Sequence, residues 1–184
     1  MLNTGVPAGY MDDFSDYEPL TMTDIEKVAM RELNELSKKT GKEYACAIIE
    51  GRKSDPFSDN YNDKVRIPAE YLQKEGVKLY HSHTNTTPPS RDDLKFLTNP
   101  CVEEIGVITI EGDIYTINRG NGELISDEEF MKETEIIAYQ ADFELIGHAE
   151  FYDWTVTQRN YMGIREQFYQ ICRRFGWTMR GGRI

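Results

Sequence analysis

The segment Val77–Tyr80 alternates apolar and polar residues, which is typical of a β-strand, and His81-Ser82-His83 follows at once. Because residues i and i+2 of a strand point to the same face, His81 and His83 are predicted to project together from the end of this strand. Asp93 follows in a Pro-Pro-Ser-Arg-Asp-Asp segment that is typical of a loop entering a helix. Two imidazoles and one carboxylate suit a zinc ion that keeps its fourth position open, so the sequence predicts a metal site here.

The balance of charges limits the partners of the chain. Its 184 residues include 21 Lys and Arg against 32 Asp and Glu, for a net charge of −11. We therefore expect neither nucleic acid nor an anionic membrane as a partner, whereas basic protein partners stay open. No apolar stretch approaches the roughly 20 residues that span a bilayer, and the polar N-terminal segment has no secretory signal. These features predict a cytoplasmic protein, with signal-less export left open.

The chain divides into three parts along its length. A length of 184 residues suits one domain with a full core. Residues 1–20 are predicted to be a flexible acidic arm and residues 21–125 a mixed α/β core. Residues 126–184 are predicted to be a helical extension that packs on this core and ends in a frayed basic tail.

Capping motifs and apolar spacing predict the individual elements. Thr23-x-x-Glu26 and Ser126-x-x-Glu129 are capping boxes that begin two helices, which end near Gly41 and Gly147. Further helices are predicted at Ser90–Leu97 and Tyr161–Phe175. The other predicted strands are Glu43–Glu50, a short Val65–Ile67, and a hairpin of Ile105–Ile110 and Ile114–Ile117.

Three short motifs together resemble a known family. Glu43, then His81-x-His83, then Ser90-x-x-Asp93 resembles the JAMM motif of the JAB/MPN metallopeptidases, and the resemblance covers roughly residues 43–118. The chain departs from the family pattern at Cys46, which stands where the first glycine of the glutamate-bearing strand is expected. It also has only six residues between the second histidine and the serine.

The resemblance implies a fold and an activity. The implied fold is α/β: a three-layer α/β/α sandwich around a mixed sheet, related to the cytidine deaminases, here followed by two C-terminal helices. The implied activity is zinc-dependent hydrolysis of a peptide or isopeptide bond. His81, His83 and Asp93 would hold one zinc ion per chain. Glu43 would transfer the proton of the attacking water, and Ser90 would stabilise the oxyanion.

The bacterial and phage members of this family indicate which partners to expect for the chain. Some of these relatives process ubiquitin-like tails, some belong to phage morphogenesis proteins, and some are toxin domains. The expected partner is therefore a protein or peptide substrate, and a toxin would also have a neutralising protein partner. An extended peptide could pair with the strand at the site by β-augmentation.

Several site residues have an alternative assignment. Asp92 could replace Asp93 as the ligand, and Ser90 could do no more than cap its helix. Glu50 is the alternative to Glu43. Because these two glutamates are seven positions apart, they face opposite sides of a regular strand and cannot share one role. His148 is expected at a helix end and is not proposed as a ligand.

Two other functions stay open at this stage. One is a catalytically silent scaffold of the same fold. The other is a phage assembly protein whose C-terminal helices do the binding. Apolar side chains exposed on both of these helices would favour the assembly role.

Overall fold

The computed structural model describes residues 14–148 and 151–183, and these residues form four α-helices and one mixed seven-stranded sheet. The helices are α1 Asp24–Thr40, α2 Arg91–Leu94, α3 Asp127–Ile146 and α4 Val156–Phe175. The strands are β1 Glu18–Pro19, β2 Ala45–Ile49, β3 Arg52–Lys53, β4 Val77–Ser82, β5 Val102–Ile108, β6 Asp113–Asn118 and β7 Thr178–Arg183. None of the helices in the described ranges has the length and apolar character needed to cross a bilayer.

The sheet has the strand order β1-β7-β6-β5-β4-β2-β3. Strands β4 and β5 are parallel, as are β1 and β7, and the remaining neighbours are antiparallel. The prediction of an α/β chain with a mixed sheet is therefore confirmed. The predicted hairpin is also present, because β5 and β6 pair in antiparallel register across a short turn.

The capping motifs place the helix ends where the sequence predicts them. Thr23 caps α1 in a complete capping box with Glu26, and Gly41 ends the helix in the left-handed conformation at φ 67°. Ser126 accepts a hydrogen bond from the N–H of Glu129 and so begins α3. These helix boundaries depend on residues within one turn of each helix end, so they can be predicted from the sequence.

The two faces of the sheet pack against different helices. Because side chains alternate along a strand, Tyr80 of β4 points to one face and Leu79 to the other. Tyr80 belongs to a cluster with α1, whose buried members are Ala29, Met30, Leu33, Cys46, Ile48, Tyr80, Ile108 and Ile114. Leu79 belongs to a larger cluster with α2, α3 and α4, which includes Leu94, Ile105, Ile117, Phe130, Phe168 and Phe175.

The prediction of a frayed basic tail is wrong. Residues 178–183 form β7, which lies between β6 and β1 inside the sheet. A side-chain carbon added at Gly181 would collide with the Phe14 ring, and one at Gly182 would lie 3.1 Å from Leu20. Gly181 is therefore needed where the chain before α1 runs beside β7, and Gly182 has little room for a side chain, requirements that no local pattern reveals.

The predicted arm lies partly outside the described residues. Residues 1–13 belong to that part, whereas Phe14, Tyr17 and β1 have a defined place. Tyr17 is 8% exposed, and its ring lies 5.7 Å from that of Tyr115 and 5.3 Å from that of Tyr169. Parts of the predicted arm, core and extension thus contribute strands to the same sheet.

The segment between β3 and β4 contains one wrong prediction. Residues 65–67 are not a strand, although the pattern at Val65–Ile67 predicts one. The N–H of Arg66 instead donates to the carboxylate of Asp59 over 2.8 Å. A single helical turn follows at Tyr71–Gln73.

Helix α3 is apolar on two opposite sides. Its inner side buries Phe130, Ile137, Ala141 and Leu145 against the sheet and α4. Its outer side exposes four large apolar residues, which are Ile136, Tyr139, Phe143 and Ile146. Helix α4 shows no comparable set in its described residues, since Val156 in its first turn is its only large apolar residue at such exposure.

Candidate metal centre

The end of β4 presents two histidines to one face of the sheet. His81 lies in β4 opposite Ala45 of β2, and His83 follows one residue beyond the strand. The N–H of His83 still donates to the carbonyl of Ile108 over 2.9 Å, so the extended backbone continues through it. Both imidazoles are buried, at 8% and 7% exposure. The predicted projection of both side chains from the strand end is therefore confirmed.

The three predicted ligands lie together. The Nε2 atoms of His81 and His83 are 3.1 Å apart. Asp93 Oδ1 lies 3.0 Å from Nε2 of His81, and Oδ2 lies 3.5 Å from Nε2 of His83. Within the described ranges, these residues form the one group of three or more histidine, cysteine or acidic side chains close enough to share an ion.

The spacing of these atoms fits a tetrahedral zinc ion. Zinc–nitrogen and zinc–oxygen bonds of about 2.0–2.1 Å at tetrahedral angles place neighbouring ligand atoms about 3.3 Å apart. The separation of 3.0 Å between Asp93 Oδ1 and His81 Nε2 and that of 3.1 Å between the two Nε2 atoms are close to this value. The donor set of two imidazoles and one carboxylate also leaves a fourth position free.

The start of α2 holds Asp93 in place. Ser90 and Asp93 form a complete capping box, in which the Ser90 hydroxyl accepts from the N–H of Asp93 over 3.3 Å. The N–H and the hydroxyl of Ser90 each donate to Asp93 Oδ2 over 2.7 Å. Oδ1 is thereby left facing His81. Asp92, the alternative ligand, is exposed and points its carboxylate towards Arg91 instead.

A backbone carbonyl sets the tautomer of His83. Its Nδ1 atom lies 2.9 Å from the carbonyl oxygen of Thr87. Because a carbonyl can only accept, Nδ1 carries a hydrogen, and Nε2 is the nitrogen left to bind a metal ion in exchange for its own proton. This is the usual arrangement behind a metal-bound histidine, where the second nitrogen fixes the orientation of the ring.

Glu43 lies on the same face as the histidines. It precedes Ala45 by two residues, and Ala45 pairs directly with His81, so the three side chains point the same way. Glu43 is 6% exposed, and it lines a pocket together with His81, His83 and Asp93. Glu50 is exposed in a left-handed turn at the far end of β2, with φ 51°. The structure therefore places Glu43, and not Glu50, beside the ligands.

The charges in the site are coupled. Burial raises the pKa of Glu43, although His83 and His81 oppose the rise. Burial works against a charge on His83, but the hydrogen bond and charge of Asp93 outweigh it and raise the pKa of His83 to about 9. Burial also disfavours charge on Asp93, yet the two histidines hold the pKa of that carboxyl well below its ordinary value. The metal-free site thus favours an aspartate–histidinium pair.

The ligands and Glu43 open onto a pocket of about 340 Å³. One part of its wall is polar and includes Asp63, Asn85 and Asp92, and another is apolar. The apolar residues of the wall are Val65, Ile67 and Phe96. No sequence pattern predicts the wall formed by residues 63–67, because tertiary contacts alone bring this loop to the site.

The outer edge of β2 is already paired beside the site. Ala45 and Phe57 exchange backbone hydrogen bonds of 2.8 and 2.9 Å, and the N–H of Glu43 donates to the carbonyl of Tyr61 over 3.2 Å. An extended peptide could therefore add to β2 only by displacing residues 57–61. These same contacts hold the backbone of Glu43 in the direction that points its side chain into the pocket.

Comparisons of the chain with protein-family models, with curated proteins and with solved structures found no match.

Proposed function

We propose that this chain is a zinc-dependent hydrolase of peptide or isopeptide bonds, with the site arrangement of the JAB/MPN metallopeptidases. The main support for this proposal is that Glu43, His81, His83 and Asp93 line one pocket. A chance pair of histidines would not also have an aspartate 3.0 Å away and a buried carboxyl on the same face. The proposal concerns one zinc ion per chain.

The roles of the ligands follow from their contacts. His81 and His83 would bind through Nε2, and Asp93 through Oδ1, because Oδ2 is occupied by Ser90. Zinc in such a ligand set supplies a Lewis acid that makes water acidic enough to act as a nucleophile near neutral pH.

Glu43 is the proposed general base and acid. A group that accepts a proton and then delivers it works best when its pKa lies near the working pH. The burial that raises the pKa of Glu43 shifts it in this direction. Glu43 would accept the proton of the attacking water and pass it to the amine that leaves.

Ser90 has a positioning role in this proposal. Its hydroxyl donates to Asp93 and accepts from the N–H of the same residue, so its hydrogen is already in use. The additional role as an oxyanion donor, which the family resemblance implies, would require the hydroxyl to turn away from Asp93. That role stays a prediction, and its test is the effect of Ser90→Ala on turnover after zinc is restored.

The proposed fold is the three-layer sandwich of the same family. Two features support it: a mixed sheet whose β4 carries the histidines, and clusters that pack α1 on one face and α2–α4 on the other. The proposed substrate is a protein or peptide. Its bond would enter the pocket between the polar and apolar parts of the wall.

The deciding experiment measures bound zinc and hydrolysis in matched variants. Untagged wild type and Glu43→Gln are expected to carry about one zinc per chain, and His81→Ala/His83→Ala none. Peptide and isopeptide substrates should be cleaved by wild type and by neither of these two variants. His148→Ala is the matched histidine control, because His148 lies at the exposed end of α3, and it should keep both zinc and activity.

Each failure has a distinct meaning. Wild type that binds no zinc, even when zinc is offered, would overturn the metal site and favour a catalytically silent scaffold. Zinc in wild type without cleavage of any substrate would retain the site and overturn the hydrolase. Cleavage that survives in Glu43→Gln would remove Glu43 from the mechanism.

A further inference from the structure

The outer side of α3 carries an apolar surface that the fold does not use. Tyr139 and Phe143 are each 80% exposed, Ile136 is 47% exposed and Ile146 is 51% exposed. Their spacing of three, four and three residues aligns them along one side of the helix. We call these four residues the α3 stripe. Large apolar side chains aligned in this way on a surface mark an interaction site more often than a scattered exposed residue does.

The inner side of α3 already satisfies the packing of the domain. Phe130, Ala141 and Leu145 are buried there, and Thr134 donates to the carbonyl of Phe130 over 2.8 Å. The stripe lies on the opposite side of the helix and is not needed to attach α3 to the core. The apolar character of the α3 stripe is therefore best explained by a partner outside the described residues.

A groove runs beside the stripe between α3 and α4. It has a volume of about 720 Å³, and both aromatic rings of the stripe contribute to its wall. Its polar wall is held in place by Gln170, which donates to Glu144 and to Glu166 over 2.9 Å each. Arg174 also pairs with Glu133 over 2.9 Å. Tyr139 and Phe143 of the stripe and this polar wall together line the groove.

Acidic residues outnumber basic ones around the stripe, and the basic ones include Arg173 and Arg174 in the wall of the groove. Helix α3 contains seven acidic residues and one lysine. Exposed Glu135 and Asp142 each precede a residue of the stripe, Ile136 and Phe143, and so flank it. The chain as a whole has a net charge of −11. A second copy would bring like charge to this surface, and an anionic membrane would be repelled by it.

We propose that the α3 stripe is the docking surface for a basic amphipathic helix of another protein. The stripe extends over ten residue steps, about 15 Å along the helix axis, which matches two to three turns of a partner helix. Apolar side chains of the partner would cover Tyr139 and Phe143 and enter the groove, as in other helix-in-groove complexes. Its lysines and arginines would face Glu135 and Asp142. The inference does not depend on the metal centre.

Binding of three synthetic peptides to the full chain tests the proposal. The first is a Leu/Lys peptide of about 18 residues in amphipathic helical order, the second has the same composition in scrambled order, and the third replaces Lys by Glu. We expect the first to bind with a micromolar Kd and the other two at least about tenfold more weakly. Tyr139→Ser/Phe143→Ser should weaken the first peptide by at least about tenfold. Because both side chains are 80% exposed, this variant should keep the unfolding temperature of wild type.

Val28→Ser is the matched control, since Val28 is also an exposed apolar residue on a helix, at 53% exposure. It should bind the first peptide as wild type does. Equal binding of the scrambled peptide, or binding unchanged in Tyr139→Ser/Phe143→Ser, would overturn the proposal. So would dimerisation of wild type at about 100 µM that the double variant loses, because a second copy would then be the occupant. Binding to phosphatidylcholine vesicles that depends on the stripe would overturn it in favour of a lipid surface.

Discussion

The hydroxyl of Ser90 donates to one oxygen of Asp93 over 2.7 Å and accepts from the N–H of the same residue, so one serine begins α2 and orients a proposed metal ligand. The side chains of Ser90 and Asp93 therefore form the helix cap and also the contact that orients the proposed ligand. The stability of the α2 start and the affinity for zinc should therefore change together.

Ser90→Ala is expected to lower both quantities. Loss of the cap should reduce the free energy of unfolding by about 1 kcal/mol. Loss of the hydroxyl contact to Oδ2 should weaken zinc binding about 10- to 100-fold, because only the backbone N–H of residue 90 then holds Asp93 towards His81. Urea unfolding of the metal-free protein measures the first effect, and competition with a chelator measures the second.

The control for Ser90→Ala is Thr23→Ala. Thr23 forms the same kind of capping box on α1 but lies outside the pocket. It should lose a similar free energy of unfolding while its zinc affinity stays that of wild type. Equal zinc affinity in Ser90→Ala and wild type would show that the contact does not orient Asp93.

The metal-free protein should become less stable as the pH rises from about 6.5 to about 9. Burial opposes the charge on His83, but Asp93 outweighs burial and raises the pKa of His83 to about 9 from an ordinary 6.5. Because the folded state binds this proton more tightly, its contribution is fully present below pH 6.5 and is lost as the pH rises through 9. The expected loss is of order 1–3 kcal/mol, measured by urea unfolding in chelator.

His83→Asn should remove most of this slope. Asp93 does not contribute in the same range, since its pKa is lowered and its contribution is lost only as the pH falls below its ordinary value of 3.8. Added zinc should reverse the sign of the slope, because zinc and the proton compete for Nε2 of His83. A metal-free wild type with constant stability between pH 6.5 and 9 would contradict the aspartate–histidinium pair.

Gly106→Ala and Gly163→Ala should have opposite effects on stability. A Cβ at Gly106 would lie 2.5 Å from the Tyr80 ring and 2.6 Å from Met30, so alanine there should cost about 1–3 kcal/mol. A Cβ at Gly163 would lie 3.8 Å from Leu145, an ordinary contact inside α4. Alanine should there add about 0.5–1 kcal/mol through helix propensity. Urea midpoints compare the two, and a stabilised Gly106→Ala would contradict the packing at Tyr80.

Arg183→Ala should destabilise the protein although Arg183 lies near the end of the described chain. Its guanidinium donates to the carboxylate of Asp113, whose side chain is 3% exposed. Removal of the arginine leaves a buried unpaired charge and should cost about 2 kcal/mol. Arg66→Ala is the control, because Arg66 is 84% exposed at 3.9 Å from Asp59, and its loss should cost less than about 0.5 kcal/mol. Thermal unfolding of the two variants decides whether β7 contributes to global stability.

The features that could be predicted from the sequence depend on local chemistry. Thr23 and Ser126 begin their helices because each side chain accepts a hydrogen bond from the N–H three residues later. The common direction of His81 and His83 follows from the two-residue period of a strand. The proximity of Asp93 was predicted from the family motif, and the structure brings it to 3.0 Å from His81.

The features that could not be predicted depend on distant contacts. The segment around Gly181 and Gly182 has a low strand propensity and nonetheless forms β7. It is a strand because β6 and β1 flank it and because Phe14 needs the space that a side chain would fill. The pocket wall at Val65 and Ile67 likewise lies beside residues that are distant in sequence, including His81 and Asp93. The residue pattern within each of these two segments does not predict which distant residues will pack against it.

The pairing of β1 with β7 has a consequence for the order in which the domain is assembled. Glu18 lies opposite Arg180, so this edge of the sheet joins residues from nearly opposite ends of the described chain. Contacts between such distant residues form late, since the loop between them must close first. During synthesis, β1 emerges before its neighbour β7, which follows α4 in the chain. The edge pairs Glu18–Arg180 and Pro19–Gly181 can therefore form only when almost the whole described chain is present, so this edge should be the last part of the sheet to close.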